Sequence, residues 1–172
     1  MNFETKINTK ELFSFLLKHN YAGFTGKSGL IISAAALFLF VRGIPTWEGN
    51  EMQMVLLAAL ALLFTVINPI LLYTKAKKQI LTNQAYKKGV KYQLNDTGIH
   101  VTIGEQEGEV PWNNIIRIEE TKEVYILYTT RVNAFLWSKR ELGSKQQEAI
   151  SYVLNHIDAK MVRIPKKMRG SL

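Results

Sequence analysis

The longest apolar segment of the chain, residues 52–73, contains no charged side chain and reads MQMVLLAALALLFTVINPILLY. As an α-helix its 22 residues would extend about 33 Å, enough to cross the roughly 30 Å hydrocarbon core of a bilayer. A soluble protein can bury a helix that is apolar on all sides, but only beneath layers of structure that the remaining 150 residues are too few to supply. The pattern therefore predicts a transmembrane helix over this segment.

A shorter apolar run precedes it, covering the 13 residues 29–41 and ending at Arg42. Extended to residues 24–46, the segment reaches the length of a membrane span, and Arg42 then lies about one turn from its end, where a long side chain reaches the headgroups. Trp47 would mark the membrane interface. A cleaved signal peptide is not expected, because 28 polar and mixed residues precede the run. Together the two segments predict a transmembrane hairpin over residues 24–73.

Charge is distributed unequally at the two ends of this hairpin. The short turn between the spans carries Glu48 and Glu51, whereas lysines flank the hairpin on its other side. These lysines are Lys18, Lys27, Lys75, Lys77, Lys78, Lys87 and Lys88. The positive-inside rule then places both termini in the cytoplasm and predicts a multi-pass protein of the cell membrane. The same lysines could attract anionic headgroups, at about 1 kcal/mol each near the surface, or could set the topology alone.

Asn68 and Pro69 form the polar interruption within the second span. Proline lacks a backbone donor and frees a carbonyl one turn earlier, which the asparagine amide or a neighbouring helix could engage. We expect a kink near the cytoplasmic end of the span. The alternative, an ion or substrate site, is disfavoured because two helices enclose no pore.

Residues 1–23 precede the hairpin. Thr9 is a plausible N-cap, and apolar residues at positions 12, 13, 16 and 17 predict an amphipathic helix of about three turns. Such a helix can lie in the plane of the membrane interface or pack on a soluble domain. Because the first span begins only a few residues later, we expect the interfacial arrangement.

The residue pattern changes from helical to alternating after residue 89, where a predicted helical linker over residues 74–89 ends. Within residues 90–158 the alternation predicts about six short strands, at 90–95, 99–103, 109–112, 115–121, 124–129 and 134–137. Ser144 and Gln147 have capping-box spacing and open a helix with Ile150, Val153, Leu154 and Ile157 on one face. Strands followed by one helix predict a small antiparallel β domain with the helix packed against it.

The amino-acid composition excludes several kinds of site and partner. Cysteine is absent, which excludes disulfides, thiolate metal sites and cysteine nucleophiles. The net charge of +8, from 22 Lys and Arg against 14 Asp and Glu, would suggest nucleic acid in a soluble protein. Because many of these lysines flank the predicted hairpin, we expect no nucleic-acid partner.

Basic residues form the candidate surface for anionic lipid headgroups or a protein partner. They are Lys139 and Arg140 at the end of the last strand, Lys145, and Lys75, Lys77 and Lys78 after the second span. The basic tail over residues 159–172 adds Lys160, Arg163, Lys166, Lys167 and Arg169. Such a tail is commonly just solvated.

Acidic residues and histidines give no catalytic pattern. Glu105, Glu107 and Glu109 alternate and would share one strand face, where a cation site competes with a solvated edge hairpin. The three histidines, His19, His100 and His156, lie in different predicted elements without metal-ligand spacing. We therefore expect no catalytic residue, no metal, no cofactor and no enzymatic activity.

Four short motifs, in this order after two apolar spans, carry a family resemblance. They are YQLNDTGI at 92–99, VPWNNI at 110–115, VYILY at 124–128 and AFLWSKREL at 134–142. In these motifs the chain resembles the YcxB-like family of bacterial membrane proteins. The resemblance implies a C-terminal β domain similar to pleckstrin-homology folds, an inner-membrane location, and Trp112 as a structural marker. Because Trp112 lies between a proline and two asparagines, its indole either packs in the core or closes one end of the sheet. Ser138 departs from the family, which usually has proline there.

The expected fold class is membrane α+β, a transmembrane hairpin followed by the small antiparallel β domain with a C-terminal helix. The expected function is that of a non-enzymatic membrane protein that presents this cytoplasmic domain to a protein partner or to anionic lipid. The alternative is an accessory subunit of a transporter or membrane enzyme, or a homo-oligomer, with Asn68 and Pro69 packing against another chain. A catalyst in its own right would need polar residues converging in a pocket.

Overall fold

The computed structural model describes residues 1–46 and 48–164, and within it the chain forms two compact units. One unit combines Met1–Phe15 with the residues from Lys77 onward, and the other is Leu16–Ala76. Trp47 and the tail residues Lys166, Lys167 and Arg169 lie outside the described residues.

The Leu16–Ala76 unit is helical. Its elements are the end of α1 (Thr9–Ala22), α2 (Phe24–Gly43), a 3-10 turn (Ile44–Thr46), α3 (Glu51–Leu62), a π-helical turn (Leu63–Ile67) and the start of α4 (Asn68–Thr82). Two continuous helical stretches, Phe24–Thr46 and Glu51–Thr82, are long and apolar enough to cross a membrane. The two long apolar helices that the sequence predicts are therefore present.

Small residues allow α2 to approach α1, α3 and the π-helical turn closely. Four residues of α2 are buried and recur every three or four positions, namely Gly26, Gly29, Ser33 and Ala36. A Cβ atom at Gly29 would lie 2.3 Å from the ring of Phe64, so the glycine makes room for that ring. The Ser33 hydroxyl donates a hydrogen bond to the Leu60 carbonyl at 2.8 Å. This is the packing expected of paired apolar helices.

The irregular turn Leu63–Ile67 lies directly before Asn68 and Pro69. Its Phe64 carbonyl accepts a hydrogen bond from the Tyr21 hydroxyl. The Asn68 amide donates to that hydroxyl at 3.1 Å and to Asn20 Oδ1 at 3.0 Å. A π-helical turn next to a proline is a recognised way to satisfy displaced backbone groups. As the sequence suggests, a neighbouring helix supplies the missing donor, here through the end of α1.

The other unit contains two four-stranded sheets. The first has the order β1-β2-β3-β4, all antiparallel, with β1 Asn2–Thr5, β2 Val90–Leu94, β3 Gly98–Ile103 and β4 Gln106–Pro111. The second has the order β7-β6-β5-β8, with β5 Arg117–Glu120, β6 Val124–Tyr128, β7 Ala134–Ser138 and β8 Val162–Arg163. The pairing of β5 with β8 is parallel. The described residues thus form eight strands, where the sequence predicts about six.

Sequence analysis missed two of these strands, the two-residue β8 and the N-terminal β1. Phe3 of β1 pairs with Tyr92 of β2, and its ring lies 4.9 Å from that of Trp137. Residues 6–89, including both apolar helices, are therefore inserted between the first two strands of one sheet. The start of α1 also belongs to this unit, because Glu11 is 2% exposed and Leu12 is 0% exposed. The interfacial arrangement expected for this helix does not describe its first half, which packs on the β unit.

Short helices complete the unit. They are α5 (Gln84–Lys88), α6 (Lys139–Leu142) and α7 (Gln146–Leu154). Ile150 and Val153 of α7 are buried in the hydrophobic core, as the sequence pattern predicts. The capping box predicted at Ser144 does not form, because residues Gly143–Lys145 make a 3-10 turn and α7 begins without a side-chain cap.

Candidate functional site

The predicted basic residues Lys139 and Arg140 follow Ser138, the last residue of β7. Ser138 is fully buried, and its hydroxyl accepts a hydrogen bond from the Glu141 amide at 3.2 Å. It therefore caps α6, as serine commonly does at a helix start. A proline at this position would provide no hydroxyl. In this chain the hydrogen bond from the Glu141 amide to the Ser138 hydroxyl therefore closes the turn.

Lys139 points into the β unit. Its ammonium lies 2.8 Å from the Glu120 carboxylate and 4.6 Å from the centre of the Tyr125 ring, and its side chain is only 19% exposed. Burial and the nearby Glu120 carboxylate raise the pKa of the Tyr125 hydroxyl to about 12. The charge of Lys139 is balanced inside the domain, so this residue contributes little to a surface for lipid.

Arg140 turns toward the N-terminal segment instead. Its guanidinium lies 2.6 Å from the Glu141 carboxylate and 3.4 Å from that of Glu11, and it donates to the Lys6 carbonyl at 3.3 Å. Its side chain remains 57% exposed. Arg140 can therefore bind an external ligand while it keeps its contacts with the N-terminal segment.

Glu11 joins the start of α1 to the end of β7. One carboxylate oxygen accepts from the Asn8 amide at 2.8 Å, while the Asn8 side chain accepts from the Glu11 amide at 2.9 Å. The other oxygen accepts from the Ser138 hydroxyl at 2.6 Å. Asn8 rather than Thr9 is thus the N-cap, in a reciprocal capping box. We call Asn8, Glu11, Ser138 and Arg140 the Glu11 latch.

The other predicted basic residues that the structure describes lie on the surface. Lys75, Lys77 and Lys78 are exposed on α4, and Lys145 is exposed just before α7. Of the predicted tail, Lys160 pairs with Asp158 at 2.7 Å and Arg163 lies 3.7 Å from Glu119.

Trp112 is buried, and its indole donates to the Asn95 carbonyl at 2.9 Å. Its ring packs 5.0 Å from that of His156, which stacks 4.8 Å from Tyr152. The Tyr152 hydroxyl donates to Asp96 at 3.1 Å. This aromatic cluster attaches α7 to the turn between β2 and β3, so both structural roles considered for Trp112 are combined.

Of the three alternating glutamates, Glu107 and Glu109 lie on β4, and they contact different residues. Glu107 lies 3.6 Å from His100, and Glu109 accepts from the Thr97 hydroxyl at 2.7 Å. Among the described residues, no group of three or more histidine, aspartate or glutamate side chains is placed to hold a metal ion.

The N-terminal sequence does contain signals for these contacts. Phe3, Thr5 and Ile7 alternate toward the interior, and Asn8 with Glu11 has capping-box spacing. A four-residue strand is too short to stand out, and its partner strand begins only after the inserted helices.

Residues 94–154 match the family model for YcxB-like protein. The matched range begins at the last residue of β2, ends at the last residue of α7, and confirms the resemblance over that range. No curated protein and no solved structure matches the chain.

Proposed function

We propose that this chain, whose residues 94–154 match YcxB-like proteins, is a multi-pass membrane protein with both termini in the cytoplasm. It presents a pleckstrin-homology-like domain to anionic lipid or to a protein partner, and it performs no catalysis. The observation that carries the proposal is the insertion of two exposed apolar helices between the first two strands of one β sheet.

Exposure of the two helices supports membrane insertion. A core helix of a soluble protein would be mostly buried, yet only 17% and 11% of their most apolar stretches are buried in the structure. Large apolar side chains that face outward include Ile31, Leu37, Phe38, Val55, Leu56 and Leu71. Water would solvate such a surface poorly, whereas lipid chains would cover it.

Strand pairing supports the orientation. Thr5 is the register partner of Val90, so the chain leaves the β sheet and returns to it at directly opposite positions. A hairpin whose two ends are joined in this way must enter and leave the membrane from one side. The flanking lysines favour the cytoplasmic side.

The sheets support the pleckstrin-homology-like description. Two four-stranded sheets contribute to a single core, and α7 packs on that core through Ala149, Ile150 and Val153. The first strand comes from before the inserted helices, so residues from both ends of the chain, and not from its C-terminal part alone, form the domain.

Cysteine labelling tests the topology, because the chain contains no cysteine of its own. Single variants Glu48→Cys, in the turn, and Lys145→Cys, on the β unit, would be treated in intact cells with a membrane-impermeant maleimide. We expect labelling of Glu48→Cys in intact cells and labelling of Lys145→Cys only after permeabilisation. Labelling of Lys145→Cys in intact cells, or recovery of the protein in the soluble fraction, would contradict the proposal.

A further inference from the structure

A groove of about 490 Å³ lies on the β unit beside the Glu11 latch. It is lined by Lys6 and Thr9 of the N-terminal segment, by Ile80 and Lys87, and by Arg140 of α6. This volume is within the roughly 300–1,000 Å³ range of small-molecule sites. Three separate parts of the chain thus contribute to one groove.

The groove carries an excess of positive charge. Lys6 and Lys87 are exposed and form no ion pair with any described residue. Arg140 is the third cation, and the adjoining Glu141 is the one carboxylate among the residues that line the groove. The arrangement leaves two lysines with no carboxylate of a described residue at ion-pair distance.

The chemistry of these side chains fits a phosphate ester. A guanidinium presents its donors in a planar fork that suits phosphate oxygens, and lysine ammonium groups add charge from other directions. Ile80 and the half-buried ring of Tyr86 give the groove an apolar wall on which the carbon skeleton of an ester can rest.

We propose that this groove binds the headgroup phosphate of an anionic phospholipid. The inference rests on the proposed function, because it requires the β unit to be tethered to a bilayer. Ile80 follows Tyr73, the end of the apolar segment, by seven residues, so even an extended chain keeps it within about 25 Å of that end. Tethering at such short range gives the headgroups a high effective concentration, so a shallow, exposed site is sufficient.

The test uses the full-length protein purified in a mild detergent. Native mass spectrometry would count bound phosphatidylglycerol and phosphatidylcholine of identical acyl chains, with soluble glycerol phosphate as a headgroup without chains. The double variant Lys6→Ala with Lys87→Ala removes two groove cations. Its control, Lys91→Ala with Lys122→Ala, removes two exposed lysines that do not line the groove.

We expect the wild type and the control to prefer phosphatidylglycerol, and the groove variant to lose about tenfold or more of that affinity. Equal affinities for the two lipids in the wild type, or equal losses in both double variants, would overturn the proposal. If glycerol phosphate displaces the lipid at equal concentration, the groove binds a soluble phosphate ester and the proposal of a phospholipid ligand is overturned. An acidic peptide that binds in preference to the lipid would overturn it in favour of a protein partner.

Failure of the groove is distinguishable from failure of the proposed function. The two double variants would also be fractionated and, with a cysteine at Glu48, labelled in intact cells. If the wild type has a normal membrane location and labelling pattern but no preference for phosphatidylglycerol, only the proposal for the groove is overturned. Loss of the membrane location in the wild type would overturn the proposed function.

Discussion

Replacing Glu11 with alanine tests whether the N-terminal segment is part of the β domain. The change removes the acceptor for the Asn8 amide and the Ser138 hydroxyl, both held at hydrogen-bond distance. It also removes the carboxylate near Arg140. Breaking a fully buried ion pair costs about 3–5 kcal/mol. Arg140 is largely exposed and still pairs with Glu141 in the variant. We therefore expect Glu11→Ala to lower the free energy of unfolding by about 2–3 kcal/mol.

The matched control is the neighbouring residue of the same helix. Lys10 pairs with Glu123 at 2.9 Å, and its side chain is mostly exposed. An exposed pair contributes at most about 1 kcal/mol, so Lys10→Ala should change the free energy of unfolding little. Both variants remove a charged side chain from the first turn of α1, which makes the comparison direct.

Urea unfolding in mild detergent, followed by tryptophan emission, measures the difference. Trp137 is fully buried and contacts the Phe3 ring of the first strand, so its emission reports whether that strand is docked. A double-mutant cycle between Glu11→Ala and Ser138→Ala should show coupling of about 1 kcal/mol or more. Equal destabilisation by Glu11→Ala and Lys10→Ala, or no coupling to Ser138, would refute the latch.

Three further predictions concern separate parts of the chain. Tyr21→Phe removes the donor to the Phe64 carbonyl, and thermal unfolding of the helical unit should show a loss of about 1 kcal/mol. Gly29→Ala should lower the midpoint of that unfolding because its Cβ would meet the Phe64 ring, whereas Gly23→Ala, with open space around it, should not. The raised pKa of Tyr125 means that the folded state holds this proton more tightly than the unfolded chain, whose tyrosine pKa is about 10. Stability should therefore be unaffected by this group below about pH 10 and fall as the pH rises toward 12, and Tyr125→Phe should remove that part of the loss.

The sequence predicted the helices and strands that have a clear pattern of apolar and polar residues within their own segment. The apolar run at 52–73 and the alternation from residue 90 each contain their own signal, so the apolar helices and the strands β2 to β7 could be read directly. The N-terminal strand and the two-residue β8 could not, because both are short and depend on partners distant in the chain.

The candidate site likewise combines residues that the sequence indicated with contacts that only the fold reveals. The pair Lys139 and Arg140 was recognisable from its motif, but the sequence could not show that Lys139 is directed inward at Glu120. The groove cations Lys6 and Lys87 are 81 positions apart. They line one groove because β1 pairs with β2 across the inserted helices, which no local pattern encodes.

A disulfide across β1 and β2 tests the central claim, that the apolar helices are inserted into a sheet completed by the N-terminal strand. Glu4 and Lys91 are register partners with exposed side chains. Opposite residues in an antiparallel pair lie about 4.5–5.5 Å apart at Cα, a distance that a disulfide spans.

The double variant Glu4→Cys with Lys91→Cys would be oxidised in native membranes, and mass spectrometry would identify the linked peptides. We expect efficient disulfide formation in this pair and little in Asn2→Cys with Lys91→Cys, which is displaced by two residues on the same strand. No disulfide in the first pair, or equal yields in both, would show that the N-terminal strand does not complete the sheet.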